Sequence, residues 1–289
     1  MVYACPPKYV VCPSPAFNPP VAVRYLSKFN GSSQPSVVVT TDGPFVVKFR
    51  QFTGQNGLLS EVVGAELMTR MGLPVPKWNP IFFTDEFLDA NPKLWYKQSS
   101  LQGLRPEAGL HFGSRLTLAG NPNYTYGVIP NAWIDRVVNR GDFVGALLLD
   151  LWANNCDRRQ CLFLPLDGTQ CLQAVFIDND HMLGGFKNDE KTCPRRTMVA
   201  NENFYRDVWT DLIVARWKSV IDGIDEKCLD SIIAKVPMEW ADVPALHFAL
   251  TELVLRRAKL ESLIAEVDNA LTHGRFLSVE DPRRAELIC

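Results

Sequence analysis

Three ionisable residues in this 289-residue chain are of the types, and stand in the surroundings, that phosphoryl transfer requires. Asp157 and Asp178, 21 positions apart, flank two short apolar runs, Cys161–Leu164 and Ala174–Ile177. Leu166-Asp167-Gly168-Thr169 lies between the runs, and an Asp-Gly pair in that position is a hairpin signal. A hairpin folds its ends together, so both carboxylates are expected to face one small volume. One carboxylate can orient or deprotonate an acceptor hydroxyl. The other can hold a hard cation such as Mg2+ against phosphate oxygens. Lys48 supplies a positive charge for phosphates, and its setting in Val46-Val47-Lys48-Phe49 is a strand face more apolar than a solvated lysine needs.

The elements that must position these groups are legible in outline. Asp142–Asn154, DFVGALLLDLWAN, is apolar around nearly its whole circumference and predicts a buried helix ending just before Asp157. Upstream, Val21–Phe29, Ser36–Thr41 and Phe45–Phe49 predict a three-stranded meander with turns at 30–35 and 41–44. Gly57–Met71 places Leu58, Val62, Ala65 and Met68 on one helical face, and Gly72-Leu73-Pro74 stops the helix. Glu61, in the first turns of that helix, is the expected partner of Lys48, with Glu66 on a different face. Trp78–Phe83 reads as a strand, the stretch with Asp85, Glu86 and Pro92 as an irregular insertion, and Leu110–Ser114 as an edge strand leading to an interlobe hinge. From Ile134 onward the chain reads as mostly helical, ending in a helix with Leu260, Leu263, Ile264, Val267 and Leu271 on its packed face. The expected organisation is α+β: a proline-rich arm over 1–20, a small β-rich lobe with one helix over 21–117, and a larger α-rich lobe over 118–289.

Taken in order, FVVKF around Lys48, NNCDRRQ around Asp157 and FIDNDHMLGG around Asp178 resemble the HipA-like branch of the protein-kinase-like superfamily, across roughly Val21 to Leu263. The last segment is also similar to that of phosphoinositide kinases. The resemblance implies a two-lobed kinase fold and an ATP-dependent kinase, with ATP and Mg2+ bound, moving the γ-phosphoryl to a hydroxyl, most plausibly Ser or Thr on a protein. Asp157 and Lys48 would be catalytic and Asp178 a metal ligand. The turn over 31–36 would cover the nucleotide, with Ser32, Ser33 and Gln34 presenting hydroxyls and backbone N–H groups to phosphate. Ser32, Ser33 and Ser36 are then candidates for autophosphorylation, and an antitoxin-like protein is a candidate partner. One departure stands out: the Asn expected five residues after the catalytic Asp is Leu162, so Gln160 or Asn155 would supply the second metal contact. That departure motivates a pseudokinase or regulatory nucleotide-binding module as an alternative, beside a small-molecule or lipid kinase.

Composition narrows the field. A net charge of −2 and a pI near 6.1 give no global attraction to nucleic acid or an anionic membrane, and Arg158-Arg159, Arg195-Arg196 and Arg256-Arg257 read as solvated surface. Eight cysteines without CxxC spacing argue against zinc and for a reducing, cytoplasmic setting. No apolar stretch approaches the ~18 residues of a membrane span. The turn over 31–36 has a single glycine, which excludes GxGxxG and Walker-type loops. His181 is expected to support its own loop; His111, His247 and His273 carry no assigned role.

Overall fold

The computed structural model describes residues 18–29, 33–97, 103–116, 125–184 and 202–272, without the side chains of 52–56 and 97. The expected meander is present: β1 (Ala22–Lys28), β2 (Ser36–Thr40) and β3 (Gly43–Lys48) run antiparallel. The second turn is tight, Thr40 pairing with Gly43, whose φ of 97° suits a residue without Cβ. Alternation along β3 sends Phe45 and Val47 into a small-lobe core with Val38, Ile81 and Phe83, and sends Val46 and Lys48 to the opposite face. Val37, paired with Val46, shares that opposite face.

Helix α1 (Arg50–Met71) starts seven residues earlier than the periodicity predicts, because its first turns are polar and carry no stripe. Its leading backbone N–H, on Arg50, donates to Nδ1 of His111 at 3.2 Å, so a distant side chain serves as the cap. It ends in a Schellman turn: Gly72, at φ 76°, donates to Thr69, and Leu73 donates to Met68. Residues 57–65 are buried without interruption. Leu58, Val62, Leu67 and Met68 belong to the same core as the large lobe, so over 57–65 the helix is enclosed on all sides.

Two expectations about the small lobe change. After β4 (Trp78–Phe83), the insertion read as irregular contains helix α2 (Asp85–Ala90), capped by Thr84, whose Oγ accepts from the Phe87 N–H at 3.1 Å, and the short pair β5 (Tyr96–Lys97) and β6 (Gly103–Leu104). Strand β7 (Gly109–Arg115) is internal, lying between β3 and β4 in the order β1-β2-β3-β7-β4, so β4 and not β7 is an edge. Strand neighbours, which the segment's own residues do not encode, decide its place. His111 is fully buried, with Nδ1 accepting from Arg50 and Nε2 facing the Glu107 carbonyl at 3.0 Å.

The large lobe holds a 3-10 turn (Asn131–Arg136), α3 (Gly141–Trp152), the hairpin β8 (Gln160–Pro165) and β9 (Leu172–Ile177), then α4 (Asp211–Asp222), α5 (Glu226–Ile233), α6 (Val243–Arg257) and α7 (Leu260–Thr272). Helix α3 is buried from Phe143 to Trp152. Its last carbonyls, on Leu151 and Trp152, accept from Arg256 at 2.7 and 3.0 Å, which ends the helix cleanly before the Asp157 loop. Of the arginine pairs read as solvated, Arg256 is therefore a helix cap. No helix among the described residues is long and apolar enough to cross a membrane.

Candidate active site

The hairpin forms as its turn signal predicts, and its ladder ends one residue before Asp178. Gln160 pairs with Ile177 across the first rung of β8 and β9, which leaves Asp178 immediately beyond the ladder and beside Gln160. Gln160 Nε2 donates to Asp178 Oδ2 at 2.6 Å. The donor end of the amide faces Asp178, so in this conformation Gln160 orients the carboxylate. Gly168, at φ 71°, makes the turn at the far end.

Lys48 of β3 and Glu61 of α1 meet at this same point. The Lys48 ammonium contacts Glu61 Oε1 directly, Asp178 Oδ1 at 2.6 Å and Asp180 Oδ2 at 3.0 Å. Glu61 Oε2 also accepts the Asn179 N–H at 3.2 Å, which ties α1 to the segment after β9. Glu66 lies elsewhere, accepting from Trp78 Nε1 and Lys235 Nζ. Asp180 is a site residue that the motif comparison passed over.

Electrostatics follow from three carboxylates around one ammonium, Glu61 and Asp180 buried and Asp178 half-buried. Burial alone would push Lys48 down, but Glu61, Asp178 and Asp180 outweigh it and hold the lysine well above its ordinary pKa. Burial also disfavours charge on Asp178, yet Lys48 and Arg159 keep it ionised, below the usual carboxylate range. Asp180 is pushed upward by burial and by its neighbours Asp178 and Glu61. One oxygen each from Glu61, Asp178 and Asp180 lies within 4.8 Å of the others. Three hard oxygen donors with an excess of negative charge fit a divalent cation of the Mg2+ or Mn2+ type.

The Asp157 loop is stitched to the Asp178 segment through the backbone. Cys156 donates to the His181 carbonyl at 2.9 Å, Leu183 to Ala153 at 2.7 Å and Gly184 to Asn154 at 2.9 Å. Asp157 is half-buried, its own N–H donating to Asn155 Oδ1 at 3.2 Å, and its carboxylate has no hydrogen-bond or ion-pair partner among the described residues. Asn155 is engaged within its own loop. It is 1% exposed and its amide nitrogen donates to Asp150, so both ends of the side chain serve the loop.

Arg159 departs furthest from expectation, being 3% exposed where a solvated residue was expected. It pairs with Asp150, the one charged residue in the buried stretch Phe143–Trp152 of α3, and reaches the backbone after β9. An aspartate inside the apolar run Phe143–Trp152 was the available sign of a buried cation. Gly64 is a second silent residue: a Cβ there would fall 2.5 Å from Cβ and Cγ of Asn179 and 2.8 Å from Met182 Sδ. Its lack of a side chain lets α1 lie directly on the segment carrying Asn179 and Met182.

The turn before β2 is only partly described. Ser32 lies outside the described residues; Ser33 and Gln34 are half-buried, Gln34 at φ 44°. Ser36 is fully buried at the head of β2, so its hydroxyl is closed to phosphoryl transfer in this conformation. His181 Nε2 lies 3.7 Å from Asp180 Oδ1, and its loop carbonyl is engaged as above. Of the other unassigned histidines, His111 is structural and His273 lies outside the described residues.

No protein-family model and no curated protein matches the sequence. Solved structures do. The Helicobacter pylori proinflammatory kinase CtkA aligns over 83% of this chain and 94% of its own, with a TM-score of 0.54 and 14% identity. HipA of Shewanella oneidensis MR-1, solved with HipB and operator DNA, aligns over 88% of this chain and 68% of its own, with a TM-score of 0.50 and 12% identity. An antiparallel small lobe with one buried helix, a helical large lobe and a hairpin delivering Asp178 to Lys48 and Glu61 together make this the HipA-like form of the two-lobed protein-kinase fold.

Proposed function

We propose that the protein is a divalent-metal-dependent phosphotransferase that moves the γ-phosphoryl of ATP to a hydroxyl. The observation that carries this reading is the meeting of Lys48, Glu61, Asp178 and Asp180 at one buried point. Lys48, held by Glu61, binds the α- and β-phosphate oxygens. Val37 and Val46, on the same sheet face, offer the adenine an apolar roof. Asp178 and Asp180 hold the cation, with Gln160 orienting Asp178. When bound, Mg2+ supplies charge neutralisation at the β- and γ-phosphates. Asp157, its carboxylate unengaged, accepts a hydrogen bond from the acceptor hydroxyl and takes its proton as the bond to phosphorus forms. Ser33, Gln34 and Ser32 close over the phosphates.

Protein Ser or Thr is the acceptor that the motif resemblance favours, in a cytoplasmic setting and with an antitoxin-like protein as a partner of the kind that HipB is for the Shewanella HipA. Leu162, paired with Val175 inside the hairpin in place of an Asn, favours a second reading, a nucleotide-binding module without transfer. Incubation of the purified protein with radiolabelled ATP and Mg2+ or Mn2+, beside Asp178→Ala, separates the two. Label transferred by the wild type alone supports the kinase; nucleotide bound without transfer under either metal supports the module.

A further inference from the structure

The guanidinium of Arg159 lies beside the metal-binding segment and is spent wholly on protein groups. Its side chain is 1% exposed, and the Asp150 carboxylate that it meets, through Nη2 and through Nε at 3.1 Å, is fully buried. Nη1 faces three acceptors on consecutive residues: the carbonyls of Ile177 and Asp178, at 3.0 and 2.9 Å, and Asn179 Oδ1 at 2.8 Å. The two carbonyls bracket the Asp178 backbone, which has a φ of 65°. Residues with a Cβ seldom take that left-handed conformation, and it persists where the surroundings over-determine it. A planar fork that grips the peptide on each side of Asp178 provides that constraint.

On its other side the same cation reaches the Asp157 loop. Asp150 Oδ1 accepts from Asn155 Nδ2 at 3.0 Å, and Asn155 Oδ1 accepts from the Asp157 N–H at 3.2 Å. An unbroken chain of hydrogen bonds therefore runs from Asp157 through Asn155, Asp150 and Arg159 to Asp178. We propose that Arg159 is a positioning residue that aims the Asp178 carboxylate and fixes it relative to Asp157. The catalytic consequence rests on the phosphotransferase reading; the effect on Asp178 does not.

Two variants test this. Arg159→Lys keeps the charge and loses the fork. The double variant Asp150→Leu with Arg159→Met removes the buried pair without stranding a charge, a change that folded proteins often tolerate. In both, Mn2+ affinity measured by calorimetry without nucleotide should fall about tenfold, the usual scale for losing a group that orients a ligand. With ATP, kcat should fall about a hundredfold, more than KM rises, as expected for misplacement by about 1 Å. A crystal structure of the double variant should show Asp178 released from its left-handed φ. A merely structural pair would lower the melting temperature and leave Mn2+ affinity and the kcat-to-KM balance unmoved. A folded double variant that keeps Asp178 at its present φ with wild-type Mn2+ affinity overturns the proposal. Failure of the phosphotransferase reading would look different: the wild type would transfer no label, while the variant's change at Asp178 would still be seen.

Discussion

The ammonium of Lys48 lies 2.6 Å from Oδ1 of Asp178, although 130 positions of sequence separate the two residues. Against the pull of burial, Lys48 thus keeps the Asp178 carboxylate ionised. Asp178→Ala should keep the fold, since Lys48 retains Glu61 and Asp180. It should lose metal-dependent ATP binding and turnover. Calorimetry returning wild-type affinity for Mg·ATP would remove Asp178 from the metal site.

Lys48→Met leaves the buried Glu61 and Asp180 and the half-buried Asp178 without their shared counter-charge, which is costly. The variant should melt well below wild type in metal-free buffer. Added Mn2+ should raise its melting temperature by more than it raises that of the wild type, because the cation replaces the lost charge. Glu61→Gln should lower kcat more mildly, and the two substitutions together should cost less than their separate penalties, since Glu61 acts by holding Lys48. Fully additive penalties would show that the two residues work independently.

Asp157→Asn preserves the loop, whose hydrogen bond to Asn155 uses the backbone N–H. ATP affinity should stay near wild type while transfer falls by ~10²-fold or more, since the lost group acts on the acceptor in the transition state. Transfer at the wild-type rate would make Asp157 a loop residue with no part in the chemistry.

His111 gives the fold a pH dependence of known sign. Burial, with a smaller contribution from Arg50, depresses its pKa from 6.5 to about 4, while the Glu107 carbonyl partly opposes the shift. The unfolded chain therefore takes up a proton at higher pH than the folded protein does. The His111 contribution is complete above pH 6.5 and is lost as pH falls toward 4, amounting at most to about 3 kcal/mol. Urea unfolding of the wild type against His111→Gln across pH 4–7 should show a shallower slope in the variant.

Gly64→Ala would ordinarily strengthen a helix by ~1 kcal/mol. Here the new methyl meets Asn179, so the variant should instead be destabilised by roughly 1–3 kcal/mol, the range for overpacking, and should bind Mn2+ more weakly. A variant more stable than wild type would show that α1 can draw back from the metal-binding segment without loss.

The chemistry-bearing residues were readable because they sit in local patterns. An apolar helix, a loop, an Asp-Gly hairpin and a second aspartate fix their own relation within about 40 residues, and strand alternation places Lys48 on the face turned away from the small-lobe core. Glu61 is expected over Glu66 because the periodicity sets it in the opening turns of the helix and Glu66 on another face; the pairing with Lys48 is observed, but α1 begins at Arg50 and sets Glu61 well inside it. Tertiary packing alone decided the rest. Arg159 is polar by type and adjacent to another arginine, and only the meeting of α3 with the β9 end turns it into a buried fork. Asp180 has no helical or strand period to mark it, and becomes a site residue because Lys48 arrives from another lobe. The start of α1 depends on a ring nitrogen of His111, 61 positions away, and β7 is internal because β3 and β4 both pair with it. Local sequence specifies periodicity and turns; burial, charge pairing and strand neighbours are set by segments that meet only when the chain has folded.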